Sequence, residues 1–195
     1  LGQATNVDLD NQFVVIDTSE IGKDLLAAGT FTATDFCTEK CKESRVKKKA
    51  LILDELWALI GASSNPQAAE FVLECFKTYR AFGAAVIGAT QDINDFFALE
   101  NGKFGRAILN NSRIKVVLPL EEEEAVRVKE VMGLSNEEMM QVIRSKRGEG
   151  LLCAGHNRIS VAFQSTQLEY DWITTSRADL EAQMLAWQQA DNESA

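Results

Sequence analysis

The stretch "ALILDE" at 50–55 limits what this chain can fold into more than any other. Four aliphatic residues in a row leave no polar face, so the run reads as a strand buried on both sides. It ends abruptly in two adjacent carboxylates, Asp54 and Glu55. A second apolar run, "AAVIGATQ" at 84–91, ends in Thr90 and Gln91. Two such runs with amphipathic sequence between them predict parallel strands joined by helices.

The rest of the chain keeps this alternation. "QFVVI" (12–16) reads as a further buried strand, followed by a loop holding Gly22 and Gly29. "TATDFCTEKCKES" (32–44) reads as a helix capped by Thr32 or Thr34. After the strand at 50–53 comes a helix with Asn65 as N-cap, Pro66 in its first position and Gly83 as terminator. Ala69, Val72, Leu73 and Phe76 recur on it at helical spacing and form its core stripe. A helical region through "INDFF" and "GRAILNN" leads to a strand, "RIKVVL" (113–118). Helices over 120–133 and 135–145 follow, the second opened by a capping box of Ser135 and Glu138. "GLLCA" and "RISVAF" around Gly155-His156-Asn157 predict a β-hairpin, and from Leu168 the tail is helical, amphipathic and acidic. The fold class is therefore α/β: one domain with a largely parallel sheet, helices on both faces, a C-terminal hairpin and a helical tail over about 168–195.

Composition narrows the function. The 195 residues carry a net charge of −9 and a pI near 4.7, which disfavours extensive direct contact with nucleic acid. The one basic cluster, "RVKKK" at 45–49, reads as a solvated strand entrance. No run approaches the roughly 18 to 20 apolar residues of a membrane span, and "LGQATNVDLD" has no signal-peptide pattern. The chain opens at Leu1 rather than Met, which points to a piece of a longer protein. Cys37, Cys41, Cys75 and Cys153 read as reduced, core-facing or idle thiols of a cytoplasmic protein. The only histidine, His156, lies far from them along the chain, so a zinc site has weak support.

Ligands of open α/β sheets sit outside the carboxyl ends of the strands. Aliphatics followed by Asp-Glu match the Walker B pattern of nucleotide hydrolases. There the aspartate holds Mg²⁺, a hard cation that wants anionic oxygen, and the glutamate deprotonates the attacking water. A glutamine on the neighbouring strand can bond the γ-phosphate or that water without adding charge. The competing reading of Asp54-Glu55 is a helix cap beside a solvated acid. The partner motif G-x-x-x-x-G-K-[ST] does not occur: in "IGKDL" Asp24 replaces the hydroxyl residue, and "NGKF" at 101–104 fails likewise.

The series "ALILDELWALI", "FKTYRAFGAAVIGATQDINDFF", "AILNNSRIKVVLPL" and "VMGLSNEEMMQVIRSKRGEGLL" resembles the C-terminal part of the conjugative-transfer ATPases of type IV secretion systems. This is the TraC/TrbE/CagE/VirB-type family, in the FtsK–HerA branch of RecA-like motors. The matching segments run in family order from about Phe13 to Trp172.

The resemblance implies a RecA-like P-loop NTPase core whose P-loop lies upstream of Leu1, so that residues 1–195 form a partial domain inactive alone. It implies ATP and Mg²⁺ as ligands, a hexameric parent, other channel components as partners, and a place at the cytoplasmic face of a bacterial inner membrane. Asp54 and Glu55 fall on the Walker B pair, Gln91 on the Thr-Gln sensor, Lys77 on the first lysine of K-T-x-R-K and Arg80 on its arginine. That arginine would reach the neighbouring subunit's nucleotide in trans; the competing reading of Arg80 is a cation at a helix C-terminus. Ala81 departs from the motif's second basic residue. Arg113 and Arg147 are reserve candidates for the finger. Asp92 and Asp95 read as helix caps, "EEEE" at 121–124 as a solvated first turn, and Trp57 and Phe96-Phe97 as core or subunit-contact residues. Two alternatives remain open: another FtsK–HerA-type DNA translocase or packaging ATPase, and a non-catalytic assembly module docking through its acidic C-terminal helix.

Overall fold

The aliphatic runs at 50–53 and 84–88 lie side by side in the computed structural model, which describes residues 11–17, 21, 23–61 and 66–193. Strand β1 (Lys49–Leu53) pairs in parallel with β2 (Ala84–Gly88), from Lys49↔Ala84 to Leu53↔Gly88. A parallel pair needs a crossover. It is supplied by α2 (Trp57–Ile60), α3 (Pro66–Thr78) and a 3-10 turn at Tyr79–Phe82. Pro66 opens α3 as expected, and the expected cap Asn65 lies outside the described residues. Gly83 ends the crossover at φ 70, where a side chain would be strained and a Cβ would sit 2.8 Å from the Arg45 carbonyl oxygen.

Ahead of this unit runs α1 (Lys23–Lys42). Behind it come α4 (Ile93–Phe96), a 3-10 segment at Leu99–Gly102, α5 (Lys103–Asn111), β3 (Ile114–Val117), α6 (Glu122–Met132) and α7 (Asn136–Arg144). The chain then forms the hairpin β4 (Glu149–Ala154) and β5 (Asn157–Ala162), and ends in α8 (Gln167–Ile173) and α9 (Arg177–Glu193). Ser135 and Glu138 form the predicted capping box of α7. No helix among the described residues is long and apolar enough to cross a membrane.

Three apolar clusters hold the elements together. Leu56, Ile60, Val72, Phe96 and Phe104 join α2 to α5 beneath the end of β1. Val117, Val142 and Leu151 seat α6 and α7 on the second sheet. Cys41, Cys75, Tyr79 and Ala84 close α1 and α3 onto β1 and β2. The Tyr79 hydroxyl and Thr38 Oγ1 hydrogen-bond there, and Thr38 Oγ1 also bonds the Thr34 carbonyl at 2.8 Å. Burial raises the thiols of Cys37, Cys41, Cys75 and Cys153 above their ordinary range, which makes them poor nucleophiles at neutral pH.

Several details differ from the sequence reading. Residues 12–16 form no strand: the backbone is irregular and Phe13 is 82% exposed, because none of the described strands pairs with it. Helix α1 begins nine residues before Thr32, so Gly29, Thr32 and Thr34 are interior and the predicted loop is helix at Gly29. The good helix formers Leu25, Leu26, Ala27 and Ala28 upstream carry it. The parallel arrangement is confined to β1 and β2, whereas β3, β4 and β5 form a separate antiparallel sheet. Helices cover one face of β1–β2, and Ala50, Ile52, Ala85 and Ile87 on the other face are exposed. Side chains alternate across a strand, so an unbroken aliphatic run reports two apolar faces but not what covers each.

Gly150 lies where β3 and β4 touch: a Cβ there would come 2.4 Å from the Val117 carbonyl oxygen, a backbone atom that cannot turn aside. Gly150→Ala is expected to lower stability by about 1–3 kcal/mol, seen as a lower urea midpoint. An unchanged midpoint would contradict this packing.

Candidate functional site

The parallel ladder does not stop at the last residues of β1 and β2. Ala89 N–H donates to the Leu53 carbonyl at 2.9 Å, and Leu56 N–H donates to the Ala89 carbonyl at 2.8 Å. These two bonds carry the strand pairing into the turn that bears Asp54 and Glu55. Leu56 is 2% exposed and anchors that turn in the core. Gly88 makes room for it, since a Cβ there would lie 2.6 Å from Leu56 Cδ2.

Both carboxylates and Gln91 therefore gather at the carboxyl edge of the parallel pair. Gln91 Nε2 donates to Glu55 Oε1, across 36 positions of sequence. Trp57 Nε1 donates to Glu55 Oε2 at 2.6 Å. Asp54 is exposed and accepts the Glu55 N–H on Oδ1 at 3.0 Å. Thr90 Oγ1 makes a long bond of 3.4 Å to the Asp92 carbonyl. Glu55 sits at φ 49, a left-handed conformation that costs a residue with a Cβ about 1–2 kcal/mol. Such strain gathers at sites where a side chain must be aimed against local preference.

The donor set suits a hard cation. Asp54 offers solvent-facing anionic oxygen next to a second carboxylate, with no soft ligand nearby in the turn. Among the described residues no group of three or more His, Cys, Asp and Glu side chains is placed to hold a metal ion.

The basic candidates lie elsewhere. Lys77 ends α3 and Arg80 is in the 3-10 turn before β2, whereas Gln91 follows β2. At about 3.3 Å per residue, that five-residue strand separates its two ends by about 16 Å. The structure thus does not bring Lys77 or Arg80 to Glu55; both are exposed on the opposite edge. Arg113 and Arg147 are exposed as well, ahead of β3 and β4. Asp92 caps α4, its carboxylate accepting Asp95 N–H at 2.8 Å, and Asp95 falls in the first turn. Glu121 to Glu124 open α6 in solvent-facing positions, and Phe96 and Phe97 meet edge to face in the core. Sequence reasoning took Trp57 for core or contact and missed its hydrogen bond to Glu55. The available signal was its place two residues after the glutamate, within reach of the turn.

The family model of the TraG P-loop domain matches residues 1–164. The solved structure of VirB4 of Thermoanaerobacter pseudethanolicus is 30% identical with a TM-score of 0.67, over 73% of this chain. The match spans 38% of that VirB4 chain, so this chain accounts for well under half of its length. The genome packaging NTPase B204 of Sulfolobus turreted icosahedral virus 2, solved with AMP, is 15% identical over 75% of this chain and 65% of its own, with a TM-score of 0.48. No curated protein matches the chain.

Replacing Glu55 tests the strain. Glu55→Gly should be more stable than Glu55→Ala by about 1 kcal/mol in urea unfolding, because only glycine adopts positive φ freely. Equal stabilities would contradict a left-handed residue at 55.

Proposed function

The chain belongs to the TraG P-loop domain family, and from that membership we propose that it is the Walker B and sensor half of an ATPase motor serving a type IV secretion or conjugation system. One observation carries the reading: Glu55 and Gln91 share a hydrogen bond at the carboxyl edge of a parallel strand pair, beside the exposed carboxylate of Asp54. A carboxylate base, a neutral amide and a cation-holding acid in one place are what hydrolysis of a phosphoanhydride asks of a protein.

In this reading Asp54 holds Mg²⁺ on the nucleotide side, and the ion when bound supplies charge neutralisation on the phosphate oxygens. Glu55 orients a water molecule and accepts its proton as the water oxygen bonds the γ-phosphorus. The bond from that phosphorus to the β–γ bridging oxygen breaks, and ADP departs with the electron pair. Gln91 steers the water or a γ-phosphate oxygen through its amide. Arg80, on the far edge of the same strand pair, serves a neighbouring subunit of a hexamer and not its own site. Lys77, one α-helical turn before it, supports the same edge.

The chain contains no G-x-x-x-x-G-K-[ST] run, so the phosphate cradle comes from elsewhere in a longer protein. The exposed aliphatic face of β1–β2 supports this, being the surface that a further layer would cover. The working motor assembles with other channel components at the cytoplasmic face of the membrane. The charge of −9 keeps this part of it away from nucleic acid.

In the full-length protein, Glu55→Gln should cut ATP turnover by at least about 100-fold while ATP affinity stays within about two-fold, the signature of a lost general base. Arg80→Ala should lose turnover by about 1,000-fold and regain part of it when mixed with the Glu55→Gln protein, as an arginine acting in trans requires. Unchanged turnover in Glu55→Gln would overturn the assignment. Turnover in Arg80→Ala that mixing does not restore would overturn the trans role.

A further inference from the structure

The carboxylate of Glu55 is gripped from two sides, and the two grips differ in kind. Gln91 reaches Oε1 from the end of β2 with an exposed, flexible amide. Trp57 reaches Oε2 at 2.6 Å with a half-buried ring fixed in the first position of α2. An indole N–H is a donor only: it can hold a carboxylate oxygen but can neither take up its proton nor turn over to accept. Charge-assisted bonds of this length are among the stronger ones a side chain makes.

The turn beneath is tightly determined. The Gly61 N–H closes α2 onto the Trp57 carbonyl at 2.6 Å, so the residue that carries the indole is tied at its backbone. A Cβ on Gly61 would come 2.5 Å from that same carbonyl oxygen, which leaves no room for a larger residue there. Glu55 itself is held at φ 49 between Asp54 Oδ1 and the buried Leu56. A left-handed glutamate has its side chain thrown out of the strand direction and needs something to define where it points. Of its two partners, Trp57 is the half-buried one and Gln91 the exposed one.

We propose that Trp57 is a positioning residue for Glu55: its indole N–H fixes Oε2, so that the carboxylate presents Oε1 to Gln91 and to the water that Glu55 and Gln91 share. This deepens the reading of Glu55 as the general base and rests on it. Trp57 never touches the reacting atoms. Its loss frees the base to rotate without changing how nucleotide is bound.

The test uses the full-length protein carrying fluorotryptophan, with the Trp57 fluorine resonance assigned by its absence in Trp57→Phe. In Glu55→Ala, that resonance should shift while that of the exposed Trp172 stays in place. This arm needs no turnover, and where Trp57→Phe does not fold the assignment is made by the absence of the resonance in Trp57→His. In steady-state hydrolysis, Trp57→Phe should lower kcat by about 10- to 100-fold with KM for ATP within about two-fold, the cost of a misplaced catalytic group. Trp57→His, which keeps a ring N–H, should recover part of that loss. An unmoved fluorine resonance overturns the proposal, as does an unchanged kcat in Trp57→Phe. A rise in KM equal to the fall in kcat also overturns it, since that marks a packing role. Wild-type turnover that Glu55→Gln leaves intact would instead sink the general-base reading, and the fluorine arm would still report separately on the contact.

Discussion

Everything at the candidate site depends on the register of one parallel strand pair. Leu53 lies opposite Gly88, and two further backbone bonds, Ala89 to Leu53 and Leu56 to Ala89, extend that alignment into the turn. A slip of one residue would turn every side chain to the other face and part Glu55 from Gln91. The helices serve this alignment. α2, α3 and α5 bury Leu56 and Ile60 below the turn, and Gly88 lets the two strands' ends close over Leu56. The site is thus precise because rigid elements support it, although the turn itself is strained at Glu55.

The same geometry divides the molecule into two edges with opposite character. Acids and an amide sit at the carboxyl edge of β1–β2, and Lys77 and Arg80 sit at the other. On the reading proposed above, a base and an arginine kept on opposite edges would act with those of neighbouring subunits. The other face of the pair, with Ile52 and Ile87, is exposed.

Much of this was legible in residues alone. Pro66, the capping box of Ser135 and Glu138, and the two-residue turn at Gly155-His156 mark their elements because each has a local mechanism. That Asp54, Glu55 and Gln91 would gather at one edge was legible because the carboxyl ends of parallel strands share it. Pairing was not. "QFVVI" has the composition of a strand, but a strand exists only when a neighbour accepts its hydrogen bonds, and composition does not name that neighbour. For the same reason β3 gave no sign that it would pair antiparallel with β4 in a sheet of its own. The role of Trp57 was hidden because an aromatic two residues from an acid is ordinary. The left-handed backbone at Glu55 and the bond from its carboxylate to the indole appear only in the folded turn.

The central claim is that the carboxyl edge of β1 and β2 is half of an ATP site completed by other parts of an assembled protein. It is tested most directly by a cryo-electron microscopy map of the full-length protein with Mg²⁺ and a non-hydrolysable ATP analogue. The account predicts γ-phosphate density beside Asp54, Glu55 and Gln91 of one subunit, with Arg80 reaching it from the next. Nucleotide bound away from that edge, with Glu55 facing only solvent, would contradict it.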